Sequence, residues 1–434
     1  MSNERLYYKE LLARLDGLGV YRNILKDPVL DSLYNIALLY NGNEMSEHNV
    51  QDMYNKFLVS LISFAEKNGI SGNIFKRYLI SLFLSDENVF SLACERVKKI
   101  DTLKGTTLYS LALADIAILH YLIKFDIKRI SKDTGSRENI MEYKPTEPRG
   151  GEDDSIQSIA EATDDDEIMS VLLWHYENVG VGVIGKNRML RYDGKKLVGA
   201  VNYDKIKFSQ LIGYEEQKKM LRNNTEAFLG NYPANNLLLV GARGTGKSSC
   251  VKALANEYHG KGLRVVEINK SQLGDLPELM RLLKDRRKKF ILFIDDLSFE
   301  AAETEFKYMK SLLEGGVEAR PDNVLFVATS NRRHIISEKW SDKDGAVLGD
   351  DLHNTDTTNE KLSLGDRFGI TVTFTKPTKE QYLEIVLAIA KECKLQVPED
   401  SLKAEALRWE LQQKGFSGRT ARQFINSIMW ELSK

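Results

Sequence analysis

The octapeptide Gly241-Ala242-Arg243-Gly244-Thr245-Gly246-Lys247-Ser248 limits the fold of this chain more than any other feature. It has the spacing G-x-x-x-x-G-K-[ST], follows the apolar run NLLLV directly, and leads into the helical pattern SSCVKALANEY. A strand, a glycine loop and a helix in that order predict a P-loop. Its glycines let backbone amides converge on phosphate oxygens without a Cβ in the way, and the helix N-terminus adds partial positive charge. Lys247 is then placed to reach the β- and γ-phosphates, and the Ser248 hydroxyl to ligate Mg²⁺. Ser249, next on the helix, joins Gly241 to Ser248 in the candidate nucleotide-binding set.

From Ile206 onward strands alternate with helices, which predicts an α/β domain with a mostly parallel sheet. The five strand candidates are 237–240, 265–268, 290–294, 324–329 and 371–374. The third ends in Asp295-Asp296, at the carboxyl edge where ligands bind in open α/β sheets. Asp295 fits a Mg²⁺-holding role and Asp296 a role in polarising the attacking water. The fourth ends in Ser330-Asn331, whose neutral amide can orient the same water. After Pro377 the strands stop. Thr378 and Gln381 form a capping box that opens a helix through Cys393, and two more helical stretches complete a small all-helical lid.

The first 130 residues read as successive amphipathic helices, with Met53, Phe57, Leu58, Leu61 and Phe64 at helical spacing in one of them. From Ser131 the composition turns polar, and residues 151–167 carry acids and no base, which predicts a solvated linker. A glycine-rich stretch around Asp193-Gly194 predicts a small β-hairpin. The expected division is therefore a helical domain over 1–130, an acidic linker with a small β element over 131–205, the nucleotide domain over 206–376, and the lid over 377–434.

This constellation resembles the AAA+ ATPases from about Phe208 to the C-terminus. Leu211-Ile212-Gly213-Tyr214 is similar to the segment that cups adenine in that superfamily. Gly241 to Ser248 corresponds to its Walker A motif, Asp295 and Asp296 to Walker B, and Asn331 to sensor 1. Asp366-Arg367-Phe368 is similar to the arginine-finger box, and Gly418-Arg419-Thr420-Ala421-Arg422 to sensor 2, where Arg422 is favoured over Arg419. More narrowly, FIDDLSFE, EKLSLGDRFGI and SGRTARQF together resemble a bacterial family catalogued as domain of unknown function 815. The resemblance implies ATP and Mg²⁺ as cofactors, hydrolysis, and a homo-oligomer such as a hexamer with Arg367 reaching a neighbour's nucleotide. It leaves open whether the client is a protein or a nucleic acid.

One departure stands out. The second Walker-B acid is ordinarily Glu, and Asp296 is one methylene shorter. Glu300, a turn further on, is the nearest substitute. Slow hydrolysis, and a nucleotide-gated adaptor in place of a motor, is therefore a second reading. A P-loop small-molecule kinase is a third, but it leaves Asn331, Arg419 and Arg422 without a role. No Asn-Lys-x-Asp motif supports a GTPase.

Composition narrows the setting. Sixty-one bases against sixty-two acids give a net charge of −1, so no global basic field points to nucleic acid or an anionic membrane. The basic run Lys284 to Lys289 is better read as cations at a helix C-terminus than as a nucleic-acid patch. The segment 341–360 reads as a long polar loop. The three cysteines Cys94, Cys250 and Cys393 have no metal-ligand spacing and suggest a reducing cytoplasm. The charged start MSNERLYYKE has no apolar leader region. The most apolar window, Leu108 to Phe125, contains Asp115, His120 and Lys124, which suits a core helix better than a membrane span.

Overall fold

The structure, a computed structural model, describes residues 3–41, 47–97, 99–134, 140, 142–148, 154–200, 202–297, 320–331, 368–413 and 415–432. The chain divides into two compact units, 1–186 and 187–434.

The first unit is helical throughout its described length, apart from a single bridge between Gly72 and Tyr143. Its long elements are Asn3–Asp16, Pro28–Tyr40, Glu47–Asn68, Ile74–Ser85, Thr107–Lys124 and Asp165–Asn178. Apolar residues at helical spacing face inward, as with Leu30, Leu33 and Ile36 or Tyr54, Phe57 and Leu61, all fully buried. Thr107–Lys124 is long and apolar enough to cross a bilayer by length and composition. In the structure Ala112, Ile116, Leu119 and Leu122 are buried in this unit's core. Asp115, on the same helix, is also buried and accepts hydrogen bonds from the Gly19 amide (3.0 Å and 3.2 Å) and the Tyr21 amide (2.8 Å).

The expected linker over 131–205 needs correction. Asp154–Glu161 and Asp165–Asn178 are helices of the first unit, and Ile159, Ile168, Met169, Leu172 and Tyr176 are completely buried. The misleading signal was the acid cluster. Asp164 caps the second helix by accepting from the Glu167 amide at 2.8 Å, and Asp165, Asp166 and Glu167 fill its first turn. There they complement the helix dipole, and the apolar stripe begins immediately behind them.

The second unit is built on one seven-stranded sheet, with order β2-β1-β4-β5-β6-β3-β7. The strands are β1 (Met189–Tyr192), β2 (Leu197–Gly199), β3 (Leu237–Gly241), β4 (Leu263–Ile268), β5 (Lys289–Ile294), β6 (Val324–Ser330) and β7 (Ile370–Phe374). β3 to β7 are the five expected strands, and they pair in parallel. The hairpin is not a separate module as expected. β1 pairs in parallel with β4, opposing Met189 to Val265, and so extends the sheet by two strands. A hairpin this short gains little alone and is stabilised by joining an existing edge. Its turn is as read: Asp193 Oδ1 accepts from the Lys195 and Lys196 amides, and Gly194 takes φ 93°.

β3, β5 and β6 are central strands buried along most of their length, as the apolar runs required. The lid comprises helices Lys379–Glu392, Glu399–Leu411 and Gly418–Leu432, packed around Tyr382, Val386, Leu402, Phe424 and Ile425. The Thr378–Gln381 capping box is present. The basic run is partly packed, with Lys284 and Arg287 exposed. Lys288 is 4% exposed, and Lys289 donates to the Asp322 carbonyl at 3.1 Å.

Candidate functional site

Parallel pairing sets the carboxyl ends of β3, β5 and β6 side by side, with Val240 opposite Ser330 and Ile294 opposite Ala328. A cavity of about 1010 Å³ opens over these ends, between the sheet and the lid. Its phosphate-sized end is walled by Arg243 to Ser249, Asp295, Asp296, Thr329 and Asn331.

The loop geometry follows from its glycines. A Cβ on Gly241 would sit 2.2 Å from the Phe374 carbonyl oxygen, so only glycine lets β3 run this close to β7. Gly246 takes φ 92° to turn the chain into helix Lys247–Tyr258. Lys247 is 5% exposed and its ammonium donates to the Gly241 carbonyl (2.8 Å), the Ala242 carbonyl (2.9 Å) and Asn331 Oδ1 (2.9 Å). Burial pushes its pKa down, while the charges of Asp295 and Asp296 act to raise it.

The acids are held as specifically. Asp295 Oδ1 accepts from Ser248 Oγ at 2.7 Å and from Thr329 Oγ1 at 2.6 Å. Asp296 is one of few non-glycine residues with positive φ (52°), and its amide donates to Thr329 Oγ1 at 2.9 Å. Its carboxylate accepts from the Asn331 amide and lies 3.7 Å from the Arg243 guanidinium. Asn331 thus bridges Lys247 and Asp296, joining the P-loop to the β5 end. The Ser248 hydroxyl and the Asp295 carboxylate meet where a Mg²⁺ ion would be held. One carboxylate and one hydroxyl suit Mg²⁺, which takes its other ligands from phosphate and water. Among the described residues no cluster of three or more His, Cys, Asp or Glu offers an alternative metal cage.

The rest of the cavity has an apolar stretch of Ile206, Leu211, Ile212, Pro377, Ile385 and Ile389, with Asp204, Lys205, Gln210, Lys218 and Lys252 also on its wall. Ile212 packs on the lid core, and the Tyr214 hydroxyl donates to the Thr375 carbonyl at 2.7 Å, its pKa pushed up to about 12 by burial. The lid touches the P-loop where the Gly418 amide donates to the Gly244 carbonyl at 3.1 Å. Arg419 and Arg422 both line the cavity. Arg422 is paired with Glu392 at 3.1 Å, and Glu392 also accepts from Gln210 at 2.5 Å.

The structure therefore brings together Gly241 to Ser249, Asp295, Asp296, Asn331, Ile212, Arg419 and Arg422. Arg367 and Glu300 lie outside the described residues, as does the loop 341–360. Sequence reading missed Thr329, Gln210, Glu392 and Lys218. Thr329 had a signal, a hydroxyl two residues before Asn331 on the same strand. Glu392 had none, because its role depends on how lid helices cross.

Comparison with known proteins bears on this site. The family described as "Protein of unknown function (DUF815)" matches residues 186–432. The chain belongs to the DUF815 family. The match covers nearly all of the unit that carries the sheet, cavity and lid. This DUF815 chain is also similar to a Methanocaldococcus jannaschii protein named for its likeness to a 26S proteasome regulatory subunit, at 26% identity over 257 residues. That alignment takes in 56% of this chain and 62% of the relative. A proteasome-activating nucleotidase of Methanosarcina mazei is 29% identical across 30% of this chain and 37% of its own length. The 26S proteasome regulatory subunit 4 homolog of Saccharomyces cerevisiae is 32% identical across 30% of this chain and 32% of its own. The DUF815 chain thus spans less than two thirds of these relatives. Among solved structures, a variant of Thermotoga maritima RuvB matches at 18% identity and a TM-score of 0.36, covering 50% of this chain and 62% of that one. The second unit has the mostly parallel sheet, the glycine loop entering a helix and the helical lid that its motifs implied.

Proposed function

We propose that this protein binds ATP with Mg²⁺ and hydrolyses it, coupling turnover to rearrangement of a macromolecular client. The observation that carries this reading is the meeting of three strand ends. Lys247, the Ser248–Asp295 pair and the Asn331–Asp296 pair face one cavity that also has an apolar stretch. Phosphoryl transfer is mostly positioning and electrostatic stabilisation, and each group has a part in it. The P-loop amides and Lys247 bind the phosphates. Ser248 and Asp295 hold the metal, which when bound neutralises charge developing on the phosphate oxygens. Asp296, with Asn331 donating to it, orients the attacking water and receives its proton. Arg419 and Arg422 approach from the lid, and Arg367 serves a neighbouring copy in a ring such as a hexamer.

Names of the relatives favour a protein client. The test is phosphate release from ATP with Mg²⁺ or EDTA, at protein concentrations spanning a hundredfold. Release that needs Mg²⁺ and rises per chain with concentration supports both site and assembly. No ATP binding by calorimetry would end the reading. A second reading, a nucleotide-gated adaptor with little turnover, is favoured by the short Asp296 side chain, whose carboxylate is engaged by both Asn331 and Arg243. Tight ATP binding with no phosphate release, alone or with clients, would select it.

A further inference from the structure

Lys218 lies on helix Glu215–Leu229, outside every motif noted above, yet it lines the cavity. It is 5% exposed, as deeply buried as Lys247. An ammonium is expensive to bury unless its donors are met, and Lys has three. Among the described residues Lys218 Nζ has one partner, Glu215 Oε1 at 2.8 Å. Glu215 does not account for the burial, because its own side chain is 76% exposed. Two of its donors have no partner among the described residues, and Lys218 lines an open cavity.

The neighbours fix which part of the cavity this is. Lys218 follows Tyr214 by one helical turn, its amide donating to the Tyr214 carbonyl at 2.9 Å. Its charge also reaches the thiol of Cys250, on the first turn of the P-loop helix. There burial pushes the thiol up to about 12 and Lys218 acts in the opposite sense. Leu211, Ile212, Tyr214 and Cys250 line the same cavity, and Leu211 and Tyr214 pack on the core cluster that holds Cys250. With the phosphates fixed at Gly244 to Ser248, this is the nucleoside end. An ammonium donates only, so it pairs with an acceptor, and on a purine the acceptors facing an apolar slot are ring nitrogens.

We infer that Lys218 is a specificity-determining residue, donating a hydrogen bond to a ring nitrogen of the bound purine. The inference rests on the cavity's being a nucleotide site, and its test separates the two claims. Calorimetry with Mg²⁺ compares ATP, inorganic tripolyphosphate and the 1-deaza, 3-deaza and 7-deaza analogues of ATP, in the wild-type chain and in Lys218→Met. The wild type should bind one deaza analogue about tenfold more weakly than ATP. Lys218→Met should weaken ATP by a similar factor, leave tripolyphosphate affinity unchanged, and no longer distinguish that analogue from ATP. Wild-type protein that binds all three analogues as tightly as ATP overturns the inference whether or not the variant folds. So does an equal loss of ATP and tripolyphosphate in Lys218→Met, which would mark a structural role. Failure of the wild type to bind either ATP or tripolyphosphate overturns the nucleotide reading together with it.

Discussion

The two units bury polar side chains to different ends. In the first, several buried polar groups close on the chain itself. Asp115 accepts from Gly19 and Tyr21 amides, the Tyr21 and Tyr176 hydroxyls meet at 2.9 Å, and Tyr176 donates to the Phe83 carbonyl at 2.6 Å. In the second, Lys247, Lys218 and Thr329 are buried just as deeply but line an open cavity. Internal closure specifies one packing of helices, whereas donors and acceptors kept at a cavity wall are available to a ligand. The contrast predicts that substitutions in the first unit change stability, and that substitutions at the cavity change binding or turnover.

The largest effect tests the cavity side. Asp296→Asn keeps the shape and the left-handed backbone but removes the proton acceptor, so turnover should fall by about 10²–10³-fold. ATP affinity and thermal stability should stay close to parental. A variant that hydrolyses ATP at the parental rate would move the role elsewhere, with Glu300 the first residue to change next. Asp115→Ala probes the opposite side. It leaves the buried Tyr21 amide without an acceptor and takes a bond from the Gly19 amide, which water can reach, so the first unit should lose up to about 3 kcal/mol. Urea unfolding followed by hydrogen exchange in Thr107–Lys124 would locate the loss. ATP affinity should not move, and a large change in it would break the division of labour. Lys247→Ala is smaller again. Loss of a charged contact to phosphate should weaken ATP by about 1.5–3 kcal/mol, with the unfolding midpoint of the nucleotide-free protein little altered.

How much of this was legible depended on range along the chain. The P-loop side of the cavity is built from short segments whose spacing is itself the signal, so the convergence of Gly241 to Ser248, Asp295 and Asn331 could be read directly. The five parallel strands were legible for a related reason: β3, β5 and β6 are buried on both faces and show as near-continuous apolar runs. The opposite side of the cavity was not. Lys218 and Gln210 look like ordinary surface residues of amphipathic stretches, and Glu392 meets Arg422 only because two lid helices cross. The helices over 154–178 were hidden by averaging. Acids concentrated at Asp164 to Glu167 outweigh, in composition, an apolar stripe that begins at Ile168. The edge hairpin was seen, but nothing local says which strand a hairpin will pair with.

His259 gives the mildest test, because it is a polar group of the second unit that does not line the cavity. Its Nε2 is buried without a hydrogen-bond partner among the described residues. Burial, with the nearby charges of Arg264, Arg188 and Lys288, pulls its pKa down to about 4 from an ordinary 6.5. The folded state therefore keeps the ring neutral where the unfolded chain already protonates it. Between those two values the unfolded state binds more protons, so stability rises with pH and falls as pH drops from 6.5 toward 4. Below about 4 both states are protonated and this contribution levels off. His259→Gln cannot titrate, and its unfolding midpoint should be flatter than the parental one across this window while matching its slope above pH 7. If His259 serves packing alone, as the polar groups of the first unit do, ATP affinity at pH 7.5 will be the same in both proteins. A shift in that affinity would show that buried polar groups of the second unit are coupled to the cavity even from outside it.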